Sequence, residues 1–250
     1  MARTVSGTNS IRAQATAQDQ SRAVLFEHLR QGCAELVGTF ALIYVGVLVL
    51  TAGGAALFAS GFKDLVAVAL AHGFIIAVMV SATMNISGGQ LNPAVTAGLL
   101  ATGRISPLQA GINVLAQLLG GVLGGLLAKA SIGGASIAAG IPSLSSRVSV
   151  GQGLLVEGVL TFFLVSAVFG TVIDDRFGGR MGGLAIGLSV ALGVLAGGPL
   201  TGAAMNPARW FGPALAQGTY PNPLVFILGP LVGGVLAGLL WHYVLLPRRR

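Results

Sequence analysis

Six stretches of this chain, near residues 33 to 57, 64 to 86, 106 to 128, 150 to 173, 181 to 198 and 222 to 246, are apolar over a length of roughly the 20 residues a helix needs to cross a bilayer core of about 30 Å. In hydrocarbon every backbone N–H and C=O must find its partner within the chain, so apolar runs of this length are restricted to membrane-spanning helices. The charge count points the same way. Lys and Arg number 14 and Asp and Glu 7, together 8% of 250 residues, against about 25% in an ordinary soluble domain. Hydrophobic residues make up 54% without the 39 glycines, too many to hide inside a water-facing surface. The fifth stretch is short unless it runs on toward Leu200, and the first has room to begin a few residues earlier. The expected fold class is an all-α, multispan membrane protein.

The formal net charge is +7, but the basic residues stand singly between apolar runs, with no basic patch interleaved with aromatics, which excludes a nucleic-acid partner. The single cysteine, Cys33, excludes an intrachain disulfide framework and a Cys-based metal site. Residues 1–23, rich in Ala, Thr, Ser and Gln, lack the apolar run of a secretory signal and read as a disordered tail. Ten basic residues (Arg3, Arg12, Arg22, Arg30, Arg104, Arg176, Arg180, Arg248, Arg249, Arg250) fall on one side of the six spans and three (Lys63, Lys129, Arg147) on the other. By the positive-inside rule both termini are cytoplasmic.

Two further apolar pieces, Asn92 to Ala101 and Asn206 to Ala216, are too short to span, and each opens with Asn-Pro-Ala. Asn caps free backbone N–H groups, and Pro at the first turn lacks the N–H that would be orphaned there, so each piece reads as a half-helix. The chain also repeats itself. Glu35, Thr39, Phe40 and Leu42 recur as Glu157, Thr161, Phe162 and Leu164, offset by 122. Ser87-Gly88-x-x-Leu91-Asn92-Pro93-Ala94 recurs as Thr201-Gly202-x-x-Met205-Asn206-Pro207-Ala208, offset by 114. Each copy, about 24–130 and 147–247, holds three spans with a half-helix between its second and third. Three is odd, so the second copy enters from the opposite face and the two half-helix starts meet near the midplane.

With Ala34-Glu35-Leu36 in the first span, Ser87-Gly88-Gly89-Gln90-Leu91-Asn92-Pro93-Ala94-Val95-Thr96, and Met205-Asn206-Pro207-Ala208-Arg209, the chain resembles the major intrinsic proteins, the aquaporin and glycerol-facilitator family. One Asn-Pro-Ala box is a weak signal. Two, in inverted repeats and in these contexts, are specific. The resemblance implies six transmembrane helices plus two re-entrant half-helices over 24–247, followed by a basic cytoplasmic end at 248–250. It implies no enzymatic activity and no cofactor, but a passive channel for water and small neutral solutes that excludes ions and protons. It also implies a homotetramer in a lipid bilayer with one pore in each protomer.

The midplane has its own electrostatics. A helix N-terminus carries about half a positive charge, and two set nose to nose create a positive maximum where ions are already disfavoured. Asn92 and Asn206 offer side-chain donors there, so a neutral molecule with a lone pair can exchange its hydrogen bonds and pass. Half-helix dipoles and an arginine are the accepted barrier of aquaporin-type pores, so on this point the physics agrees with the resemblance without being independent of it.

Four ionisable residues lie within the apolar stretches, Glu35, His72, Glu157 and Arg209, and each needs a partner or a watery cavity. The resemblance implies that Glu35 and Glu157 accept hydrogen bonds from the half-helix loops and serve as scaffold. Counting from the boxes by family spacing places a selectivity filter at His72, Val194, Ala203 and Arg209. That set departs from the strict water-channel pattern, which has an aromatic at the His72 position and His at the Val194 position, and it resembles the plant tonoplast intrinsic proteins. A wider, less donor-rich aperture follows, passing ammonia and, slowly, glycerol. Glycerol facilitators place Asp after the filter arginine and a basic residue four positions later, where this chain has Trp210 and Ala214; Phe226 matches water channels and Ile227 glycerol facilitators.

Blander readings stand beside these. His72 could simply satisfy a backbone carbonyl between helices. Phe40, Phe74, Phe162, Phe163 and Phe169 read as lipid-facing or core residues, and Gly120-Gly121-x-x-Gly124-Gly125 and Gly233-Gly234 as close helix packing. An ion-coupled transporter, which shares inverted repeats and broken helices, would need Glu35 or Glu157 in the lumen. An intramembrane hydrolase would need Ser189, in Gly187-Leu188-Ser189, within reach of His72. The excess of Arg over Lys, with abundant Gly and Ala, suggests a GC-rich prokaryotic host and hence a cell membrane.

Overall fold

The computed structural model describes residues 4–51, 62–174, 176 and 181–247. Its helices, in chain order, are α1 (Thr4–Thr51), α2 (Phe62–Ser87), α3 (Pro93–Ala101), α4 (Pro107–Ser131), α5 (Val150–Val168), α6 (Gly182–Thr201), α7 (Pro207–Gln217) and α8 (Pro223–Leu240). Six contain segments long and apolar enough to cross a membrane, Arg22–Thr51, Leu65–Ser87, Pro107–Ser131, Val150–Ile173, Gly182–Thr201 and Pro223–Leu245. An even number of spans leaves both ends of the bundle on one side. The short helices α3 and α7 are the two expected half-helices, each with its Asn as N-cap and Pro at the first turn. The fifth span does run past Leu200, to Thr201.

The segment 1–23, expected to be a disordered tail, is described from Thr4 onward, where α1 begins and runs without a break into the first span. Residues 52–57 of the expected first span, and 248–250, lie outside the described residues.

Packing follows the repeat. α1 seats on α4 and its counterpart α5 on α8, while α2 meets α6 across the centre. Each half-helix lies on the third span of the other repeat, α3 on α8 and α7 on α4. The paired glycines make this double seating possible. A methyl group on Gly120 would lie 2.3 Å from the Leu36 carbonyl oxygen of α1, and one on Gly121 would lie 2.9 Å from the Ala208 carbonyl oxygen of α7. In the second repeat the same construction gives 2.0 Å from Gly233 to the Gly158 carbonyl oxygen and 2.4 Å from Gly234 to that of Ala94. Adjacent glycines thus let one helix touch a span and a half-helix at backbone distance. Leucines such as Leu115, Leu155 and Leu192 face outward, as hydrocarbon allows. Of the phenylalanines, Phe74 and Phe163 are exposed and Phe169 is fully buried.

Candidate functional site

The strongest constraint on the centre of the bundle is where the half-helix loops send their backbone groups. Glu35, fully buried on α1, accepts from Ser87 Oγ at 2.6 Å, from the N–H groups of Gln90 at 2.9 Å and Leu91 at 2.6 Å, and from Gln117 Nε2 at 2.8 Å. Glu157, its counterpart on α5, accepts from Thr201 Oγ1 at 2.6 Å and from the N–H groups of Ala204 at 2.9 Å and Met205 at 2.7 Å. A carboxylate has room for these donors, and each loop is thereby tied to a span of its own repeat. The fourth donor, Gln117, has no counterpart in the second repeat.

So held, the loops adopt matching left-handed conformations. Leu91 has φ 52° and Met205 φ 50°, with Gly88, Gly89, Gly202 and Ala203 also at positive φ. Such a conformation disfavours a side chain by roughly 1–2 kcal/mol per residue, and here it turns the carbonyls of Leu91 and Met205 toward the other loop. Asn92 Nδ2 donates to the Met205 carbonyl at 2.8 Å, and Asn206 Nδ2 donates to the Leu91 carbonyl at 2.9 Å. The caps are closed by Oδ1, which accepts from the Ala94 N–H at 2.8 Å in α3 and from the N–H groups of Ala208 at 3.0 Å and Arg209 at 3.3 Å in α7. Two helix N-termini are therefore stitched together reciprocally. Each amide keeps one further N–H.

One passage runs beside this stitch, lined by Asn92, Asn206, His72, Val194, Ala203 and Arg209 together with apolar side chains of α1, α2, α5 and α6. Six of the sequence-predicted residues thus share one lumen, whereas Pro93, Ala94, Pro207 and Ala208 of the boxes, and Glu35 and Glu157, are not among those that line it. Arg209, 3% exposed, donates from Nη1 to the Gly140 carbonyl at 2.7 Å, and its Nε meets no acceptor among the described residues. Gly140 ends a short turn, Ala138–Gly140, pinned by the Ile137 N–H to Gln217 Oε1 at 3.1 Å and lying against Val47 of α1.

In His72, Nδ1 bonds the carbonyl of Val68 in its own helix at 2.9 Å, so Nδ1 carries the proton, and Nε2 meets no donor among the described residues. Ser189 is therefore not its partner. Trp210, which matched neither family pattern, donates from Nε1 to the Pro221 carbonyl at 2.9 Å, and its ring stacks on Phe226 at 6.1 Å. Gln117 and the carbonyls of Leu91, Met205 and Gly140 were not foreseen. Gln117, a polar residue inside an apolar span, was detectable had uncharged groups been weighed with ionisable ones; the carbonyls leave no mark in a sequence.

Comparison with known proteins places the chain. The family model described as Major intrinsic protein matches residues 22–241. Aquaporin TIP4-4 of Zea mays is 47% identical over 218 residues, covering 85% of each chain. Aquaporin TIP2-1 of Arabidopsis thaliana is 40% identical over 230 residues, covering 86% of this chain and 87% of that one. Among solved structures, the aquaglyceroporin from Plasmodium falciparum superposes with a TM-score of 0.76 at 25% identity, covering 87% of this chain and 97% of that one.

Proposed function

This chain belongs to the major intrinsic protein family, and from that membership we infer a passive transmembrane channel that conducts water and small neutral solutes. The observation that carries the reading is the reciprocal bond between Asn92, Asn206 and the opposing loop carbonyls. It aims the positive ends of α3 and α7 at the same point of the lumen. Cations are repelled there and by Arg209, whereas water accepts from the free N–H of each asparagine. The apolar wall opposite offers no competing partner, so water oxygens turn toward the amides and a continuous proton wire is interrupted. Glu35 and Glu157, saturated by the loops, support a scaffold role and not a proton-coupled one.

His72, Val194, Ala203 and Arg209 are the filter of this reading, and Val194 supplies no donor where the strict water channels have His. The pore therefore passes ammonia as well as water, and glycerol slowly. A facilitator of glycerol-like solutes is the second reading, favoured by Val194 and by Ile227. Assembly as a homotetramer and cytoplasmic termini belong to the same proposal. The plant relatives lend no support to the prokaryotic host and cell membrane expected from composition.

The test is light scattering on proteoliposomes under opposing gradients of an impermeant osmolyte, glycerol and an ammonium salt, with ionic current measured in parallel. Faster shrinkage than empty vesicles, unaffected by ionophores and without current, is expected. Shrinkage at the rate of empty vesicles, or measurable ionic current, contradicts the reading.

A further inference from the structure

We propose that Gly46, in the first span, sets the width of the filter by giving the imidazole of His72 a recess to lie in, which makes it a specificity-determining position of this channel. The inference rests on the pore reading above and names a residue that reading does not include. Nδ1 of His72 is tethered to the Val68 carbonyl of its own helix, which leaves the Nε2 end of the ring to be placed by what it faces. A Cβ built at position 46 would lie 2.5 Å from Nε2, 3.1 Å from Cδ2 and 3.2 Å from Cε1. These three atoms are one end of the ring, so the ring points into α1 at a place where α1 has no side chain. Ordinary contact is about 3.5–4.0 Å, so a methyl group there has to displace the ring by about 1 Å. The tether holds the ring's base, α1 closes one side, and the other side is the lumen that His72 lines.

The inverted repeat supplies an internal comparison. Offset by 122, the counterpart of Gly46 is Val168, and offset by 114, the counterpart of His72 is Ile186. Both line the passage. The helix pairing itself therefore tolerates a branched side chain at this position, and the glycine belongs to the half that carries the imidazole. The next residue of α1, Val47, lies against Gly140, whose carbonyl holds Arg209. One turn of the first span thus backs two of the four filter residues while contributing no filter side chain itself.

The experiment is a double-mutant cycle in proteoliposomes with Gly46→Ala, His72→Ala and both together, reading water, ammonia and glycerol permeability and thermal unfolding of each variant. In the parent background Gly46→Ala should lower ammonia and glycerol permeability several-fold and water permeability less. In the His72→Ala background the same change should have little effect on any flux, because the imidazole it displaces is gone. If Gly46→Ala fails to fold alone but folds with His72→Ala, the clash is with the imidazole and the proposal stands. Equal fractional losses in both backgrounds, or unfolding in both, overturn it. A parent protein that conducts, combined with independent effects, sinks the Gly46 assignment alone; a parent that conducts neither water nor solute sinks the functional reading with it.

Discussion

His72 shows how far a single residue's role depends on where its polar atoms go. Read from its type, a neutral imidazole offers one donor and one acceptor to a permeant. In the structure the donor is spent on Val68 and the other end of the ring faces α1, so in the proposed filter the residue acts through its bulk. Replacing His72 with Phe fills the recess with a larger ring that has no tether, and replacing Val194 with His restores a donor on the opposite side. The pair His72→Phe with Val194→His should suppress ammonia flux while largely sparing water flux, measured by stopped-flow pH and light-scattering signals on the same vesicles. Equal loss of both fluxes would count against the filter assignment. Ala203 gives an independent check at the same scale. It is 4% exposed and lines the passage, whereas Cys33 is an exposed residue of α1 that does not line it. The parent channel should resist mercurials, and Ala203→Cys should become mercury-sensitive in a way a thiol reductant reverses; a variant that stays insensitive refutes the placement of that residue.

At the scale of elements, the half-helices are held by two kinds of contact. Glu35 and Glu157 accept hydrogen bonds from the loops, and paired glycines on α4 and α8 bring the spans to backbone distance. The second kind can be tested by placing a methyl where it cannot fit. On Gly233 it would lie 2.0 Å from the Gly158 carbonyl oxygen, a backbone atom that moves only if α5 and α8 separate, whereas on Gly111 it would meet nothing within 4 Å. Overpacking of this kind destabilises by about 1–3 kcal/mol, more than the roughly 0.5–1 kcal/mol that Ala gains over Gly in a helix. Gly233→Ala should therefore lower the unfolding temperature in detergent and Gly111→Ala should leave it unchanged or raise it. Matching behaviour of the two variants would mean that the α5–α8 seam yields more readily than its geometry suggests.

For the whole molecule, the residues of the stitch and of the proposed filter line one passage within a single bundle. A homotetramer should consequently conduct through four independent pores. Mixing parent chains with an inactive variant should reduce water permeability in linear proportion to the parent fraction, and light scattering of the detergent complex should report four chains. A steeper than linear loss would show that the pores are coupled, and a monodisperse monomer or dimer with water flux retained would show that assembly is dispensable.

The sequence by itself determined the six spans, the two half-helices, their inversion and the identity of the asparagines that start them. Those features are governed by local physics: hydrocarbon demands runs of about 20 apolar residues, and an Asn-Pro start satisfies its own backbone within two or three residues. It also led, through the family spacing, to four residues that the structure brings to one lumen. The tertiary structure decided what those residues do to one another. The acceptors of Asn92, Asn206, Arg209 and His72 are backbone carbonyls of Met205, Leu91, Gly140 and Val68, and a carbonyl belongs to every residue, so no side chain marks it in advance. Gly46 is the sharpest case: its contribution is an empty volume beside His72, and empty volume exists only once two helices have packed.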